Sequence, residues 1–139
     1  MRARGRAIGI AVTVLAMAGL TACTAAEDQP AFLTGEQTEQ DRLPADADFD
    51  DLQASSTRYL GEDSHGDAYY AALRANGSGR DDTCLVMFDG EKWAAGCAAS
   101  LPIAVSNGLV KATLYASDAD VLGNGEAVGD HVRVIPDGS

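Results

Sequence analysis

Hydrophobic positions fall along this chain in three regimes, and each predicts a different kind of structure. Residues 7 to 22 form an uncharged run of small and apolar residues. From Thr24 to Ser55 apolar positions are scattered among acidic ones with no sustained period. From Ser56 onward short apolar runs recur, each bounded by Gly, Asn, Asp or Ser. Those runs are "STRYLGE", "AYYAALR", "TCLVMF", "WAAGCAA", "LPIAV", "LVKATLYA" and "HVRVIP". Short segments of this kind with turn residues between them predict an antiparallel, mainly β unit, and helical periodicity is weak throughout. Within "AYYAAL", side-chain alternation puts Tyr69 and Tyr70 on opposite faces, so one is expected in the core and the other at the surface.

The stretch "CLVMFDGEKWAAGC" sets its own register. If Asp89 to Lys92 form a four-residue loop, Phe88 faces Trp93, Val86 faces Ala95 and Cys84 faces Cys97. A tighter two-residue Asp-Gly turn would leave the cysteines two residues out of line. One register thus satisfies a Cys84–Cys97 disulfide and an aromatic pair together. Cys84, Val86 and Phe88 then share a face expected to point into the core. The opposite face sets Leu85 and Met87 against Ala94 and Gly96, small residues that leave room for a close neighbour. A domain of about 80 residues has a modest core, and a staple of this kind suits it.

The first two regimes give the address. Arg2, Arg4 and Arg6 precede the uncharged run, which ends in small residues, the order of an export signal. The run is too short for a bilayer-spanning helix, which needs roughly 20 residues. Leu20-Thr21-Ala22-Cys23 resembles the lipobox of bacterial lipoproteins. That resemblance implies cleavage before Cys23 and a diacylglyceryl group on its thiol, which anchors the chain to the extracytoplasmic side of the cell membrane. Two acyl chains hold stably, since each buried methylene contributes about 0.8 kcal/mol. The expected organisation is a signal peptide over 1–22, a lipid-anchored acidic tether over 23–55 and a small β domain over 56–139. The tether carries nine acidic residues, one basic residue and two prolines, a composition that favours disorder. Asp50 and Asp51 would suit the first turn of a short helix there.

Charge narrows the partners. Of 21 acidic and 10 basic residues, three basic ones lie in the signal, so the mature chain carries 7 − 21 = −14. A chain this acidic repels nucleic acid and lacks the cations that phosphate binding needs. The folded part is also similar to small exported proteins of high-GC Gram-positive bacteria. The likeness runs over roughly residues 56 to 136 through "RYLGE…AYYAAL", "TCLVMFDGEKWAAGC" and "LVKATLYA…VGDHVRVIP", and it implies the domain without implying an activity.

Chemistry-bearing residues are few. His65 and His131 are the candidate catalytic bases, with Ser64 and Asp67 near the first, but neither a nucleophile elbow nor an oxyanion loop accompanies them, and both read as surface histidines. Asp46, Asp48 and Asp50 start like a calcium loop, but Asp51 stands where such a loop has Gly and Thr57 where it has Glu. Asp118 begins a similar run that fails likewise. Cys84 and Cys97 are committed to each other, leaving too few ligands for zinc. "GNGEAVGD" lacks the Lys-Ser/Thr ending of a phosphate loop. Tyr59, Tyr69, Tyr70 and Tyr115 offer an aromatic surface wherever they face outward. The expectation is therefore a non-enzymatic interaction module with no cofactor, no catalytic site and no metal site. Its expected partners are the bilayer and an envelope protein or cell-wall component, met by the sheet face or by the loops around His65 and Asp118. The alternatives are a small envelope enzyme and a weak divalent-cation binder.

Overall fold

The seven short apolar runs become strands, and Glu126–Val128, a stretch outside those runs, adds an eighth in a computed structural model that describes residues 29–118 and 123–138. One antiparallel sheet is a meander of β1 (Arg58–Glu62), β2 (Ala68–Ala75), β3 (Asp81–Phe88) and β4 (Trp93–Ala98). The other is built from β5 (Ile103–Ser106), β6 (Val110–Leu114), β7 (Glu126–Val128) and β8 (Val132–Pro136), in the order β5-β6-β8-β7. The mainly β, antiparallel architecture and its single disulfide are as expected. The stretch before the first strand holds two single 3₁₀ turns, Ala31–Leu33 and Ala54–Ser56, and the acidic pair Asp50-Asp51 lies in a turn and starts no helix.

The β3–β4 hairpin adopts the register that the cysteines and aromatics require. Cys84 pairs with Cys97, Val86 with Ala95 and Phe88 with Trp93. Asp89 closes the four-residue loop with its own carboxylate, which accepts from the Glu91 N–H at 3.0 Å and the Lys92 N–H at 2.8 Å. Those donors, Lys92 first, hold the Asp89 carboxyl below its usual range. Cys84 and Cys97 are disulfide-bonded with their Cα atoms 4.0 Å apart.

The core face differs from the one expected. Tyr69, Ala71, Leu85 and Met87 of the first sheet pack against Ile103, Val105, Leu114, Val132 and Val134 of the second, and Leu33 inserts among them. The main core thus lies on the Leu85/Met87 face. Gly96 plays the role its size suggests there, since a Cβ on it would stand 2.9 Å from Val105 Cγ2 and 3.3 Å from the Ala104 carbonyl oxygen. The Val86 face holds a second cluster of Ala68, Tyr70 and Val86, covered by Leu43, Phe49 and Leu52 from the N-terminal segment. Both faces of the first sheet are covered, which is why Tyr69 and Tyr70 are both buried and neither reaches the surface. Each such side chain, fully buried, contributes about 1.5–3 kcal/mol.

The covering segment belongs to the stretch 23–55 expected as a tether. From residue 29 it lies along the domain, with Leu33 only 3% exposed. Composition suggested otherwise because nine acidic residues stand against one basic residue and the apolar positions are scattered, but a few well-placed apolar side chains are enough to hold it down. The signal peptide, Cys23 and the first part of the expected tether lie outside the described residues.

Candidate functional site

Residues 37–57 form an arc over the outer face of the first sheet, and its geometry starts at its two ends. Gln37 Nε2 lies 2.7 Å from Thr57 Oγ1 and 2.8 Å from the Ala54 carbonyl oxygen, tying the start of the arc to its finish. Arg58 donates to the Ser55 and Thr57 carbonyls at 3.2 and 2.8 Å, and its other nitrogen donates to the Gly35 carbonyl. Asp41 reaches the sheet itself, accepting from the Tyr59 N–H at 2.9 Å and from the Thr38 N–H at 2.7 Å. Burial alone would push the Asp41 carboxyl up, but these backbone donors and the Thr38 hydroxyl more than offset it, and the group titrates below the usual range.

The far end is fastened to β2. The Gln53 N–H donates to the Leu73 carbonyl at 2.8 Å, and Ser56 Oγ accepts from the Leu73 N–H at 2.8 Å. Arg74 pairs with Asp82 at 2.9 Å and with Asp51 at 3.6 Å. Between these fastenings the backbone bonds are local, from Ala47 to Pro44, Phe49 to Ala47 and Leu52 to Phe49. Side-chain contact holds the middle. Phe49 meets Trp93 edge-on at 6.1 Å, Trp93 stacks on Phe88 at 4.3 Å, and Tyr59 and Tyr70 continue the aromatic floor.

The arc frames an open recess of about 450 Å³, lined by Leu43, Pro44, Ala45, Ala47, Phe49 and Leu52, with Gln37, Arg42 and Thr57 among its polar contacts. Binding sites for small ligands and side chains begin at about 300 Å³ and combine an apolar lining with a few polar groups. Along "PADADFDDL" the lining positions Ala45, Ala47 and Phe49 alternate with exposed Asp46, Asp48 and Asp50. Those apolar positions are the signal that composition obscured, and turns closed by the Ala47 N–H on the Pro44 carbonyl and the Leu52 N–H on the Phe49 carbonyl bring them to the recess.

Of the sequence-derived candidates, Asp46, Asp48 and Asp50 lie on the arc and Tyr59 and Tyr70 beneath it, while the histidines and their neighbours sit elsewhere. Asp63, buried in the β1–β2 hairpin, accepts from the His65 and Asp67 N–H groups at 2.9 and 3.0 Å and from the Tyr69 hydroxyl at 2.9 Å. Burial, then that hydrogen bond and the charges of Asp63, Asp67 and Glu126, push the Tyr69 phenol well above its ordinary value. Burial also raises Asp67, followed by the charges of Asp63 and Asp89. Ser64 faces Glu126, not a histidine, with its hydroxyl 2.7 Å and its N–H 2.6 Å from the carboxylate oxygens. His65 is exposed at the hairpin tip. His131 was expected at the surface; it is half-buried against Phe32, ring centroids 4.5 Å apart. Tyr115 carries the Arg133 guanidinium over its ring at 5.2 Å. Asp118 is exposed, and residues 119–122 lie outside the described set. Among the described residues no three His, Cys, Asp or Glu side chains converge as a metal site would need. Comparison with protein-family models, with curated proteins and with solved structures finds no match to this chain.

Proposed function

We propose that this chain is a non-enzymatic binding module held on the extracytoplasmic face of the cell membrane by a diacylglyceryl group on Cys23. The anchor reading rests on the lipobox-like Leu20-Thr21-Ala22-Cys23 at the end of an export signal. The binding reading rests on one observation, the open apolar recess framed by the 37–57 arc. An envelope protein or cell-wall component is the class of partner within reach of a module so anchored.

Crosslinking in intact cells, comparing the wild type with Cys23→Ala, tests both halves. The wild type is expected to capture a specific partner from the membrane fraction, and the variant to be released or misprocessed and to lose that partner. Intact mass should show loss of 22 residues and gain of lipid, as cleavage before Cys23 requires. A Cys23→Ala protein that stays in the membrane with unchanged mass would refute the anchor.

A further inference from the structure

We infer that β4 is a dimer edge, through which two copies of this chain pair antiparallel and join their first sheets into one of eight strands. This contact involves neither the recess nor the anchor. The phase of the β3–β4 ladder decides which backbone groups are free. In an antiparallel pair, the close-set residues exchange no hydrogen bonds with each other and turn their N–H and C=O outward. Cys84 and Cys97, with Cα atoms 4.0 Å apart, are such a pair. At the hairpin end the Asp89 N–H donates to the Lys92 carbonyl at 3.2 Å, so Phe88 and Trp93, one step further in, are another. Trp93, Ala95 and Cys97 therefore point their N–H and C=O away from β3. Among the described residues no backbone hydrogen bond reaches them from another strand or loop.

The other sheet edges are guarded. β1 carries a bulge between Tyr59 and Gly61, and its Tyr59 N–H is taken by Asp41 at 2.9 Å. β7 is three residues long and lies on the side where Gly129 meets Leu60. β5 is four residues long, follows Pro102 and ends at Ser106, whose hydroxyl is bound to Asp137. β4 has six residues with no charge, no proline and no bulge in its register, so it lacks the devices that keep edges from pairing. β5 packs against both β4 and β3, under the sheet and not beyond its edge.

The sequence of β4 fits its own copy. Pairing centred on Ala95 sets Ala95 against its copy, Trp93 against Cys97 and Ala94 against Gly96, so the one bulky side chain never meets another. The same register puts Lys92 opposite Ala98 and Glu91 opposite Ala99, and no like charges face each other across the junction. A charged partner segment would find no counter-charge along β4. The contact is isologous and closes on itself. It is one strand wide, at the small end of interfaces below about 1,200 Å², and so makes a reversible, concentration-dependent dimer.

The test uses the full-length protein as purified from cells in neutral detergent. Sedimentation should show the wild type passing from monomer to dimer as its concentration rises. Raising the salt should tighten the dimer, because two copies of an acidic chain repel each other and salt screens that repulsion. Hydrogen exchange should slow in the dimer at the Trp93, Ala95 and Cys97 amides, while those of Ala94 and Gly96, bonded to β3 in either state, stay unchanged. Ala95 is exposed, and Ala95→Lys or Ala95→Glu sets like charges against each other at the two-fold axis. Each variant alone should weaken the dimer about fivefold or more, and a mixture of the two should restore it. Thermal midpoints near that of the wild type show that both variants are folded. A wild type that stays monomeric, a dimer indifferent to both charges, or no recovery in the mixture would overturn the inference. Protection of the Trp93, Ala95 and Cys97 amides in the monomer would overturn it too, since another segment of the chain would then occupy the edge.

Discussion

Gly129 shows how much one missing side chain can decide. It lies between β7 and β8 with a positive φ of 57°, and a Cβ there would run into the carbonyl oxygen of Leu60 on β1. A backbone oxygen cannot step aside as a flexible side chain can. Gly129→Ala should therefore lower stability by about 1–3 kcal/mol, read as a drop in thermal midpoint. Gly35→Ala, where nothing lies within 4 Å, is the control and should leave the midpoint near that of the wild type. Gly96 is comparable and was legible beforehand, because the register of the cysteines placed it opposite Leu85. The role of Gly129 was not legible, since its neighbour Leu60 is distant in sequence and belongs to the other sheet. The same holds for Asp63, whose three donors come together only once the hairpin has formed.

Among the elements, the β3–β4 hairpin could be read from sequence because every constraint on it is local, and two of them agree on one register. The arc could not, although its pattern was present. Nine acidic residues between Thr24 and Ser55 outweighed the alternation of Ala45, Ala47 and Phe49, and the partners of those residues lie on another element. Missing the arc also misplaced the core, because with only one face of the sheet expected to be covered, the one carrying the disulfide and the aromatic pair was assigned to it. The arc has a weak point that can be tested through pH. The folded Asp41 carboxyl titrates below its unfolded value of about 3.9, so its contribution is complete above that pH and is lost as pH falls through the folded value. Acidification below about pH 4 should loosen the arc before the sheets melt, seen as a Trp93 emission change ahead of the loss of β circular dichroism. Asp41→Asn should remove that acid step. Coincident emission and circular dichroism transitions in the wild type would show that the arc and the sheets open as one unit.

For the whole molecule, stability is divided between the two buried layers and the covalent link. The disulfide closes a sequence separation of 13, for which chain-entropy accounts give about 3 kcal/mol. A Cys84→Ala, Cys97→Ala double variant should lose about that much on denaturant unfolding, with the slope of the transition little changed. Only the first sheet carries the link, so the packing between the sheets around Leu85 and Leu114 is expected to persist in that variant. The two sheets are also joined along one side, where β1 approaches the β7–β8 turn at Leu60 and Gly129, and Ser64 bonds Glu126.

The seating of Leu33 between the sheets has a mechanical consequence. A pull on the chain ahead of residue 29 meets Leu33, 3% exposed in the core, before it reaches the arc. The load is thus borne by the buried cluster between the sheets, and the arc stays slack while the chain ahead of it is pulled. Only when Leu33 is drawn out does the force pass to Gly35 and Gln37 and their ties to Arg58 and Thr57. Once those give way, the 24 residues from 33 to 57 add roughly 80 Å of reach at about 3.4 Å each. Leu33 is in this sense a stop on a reel, separating tension on the chain before residue 29 from the state of the arc.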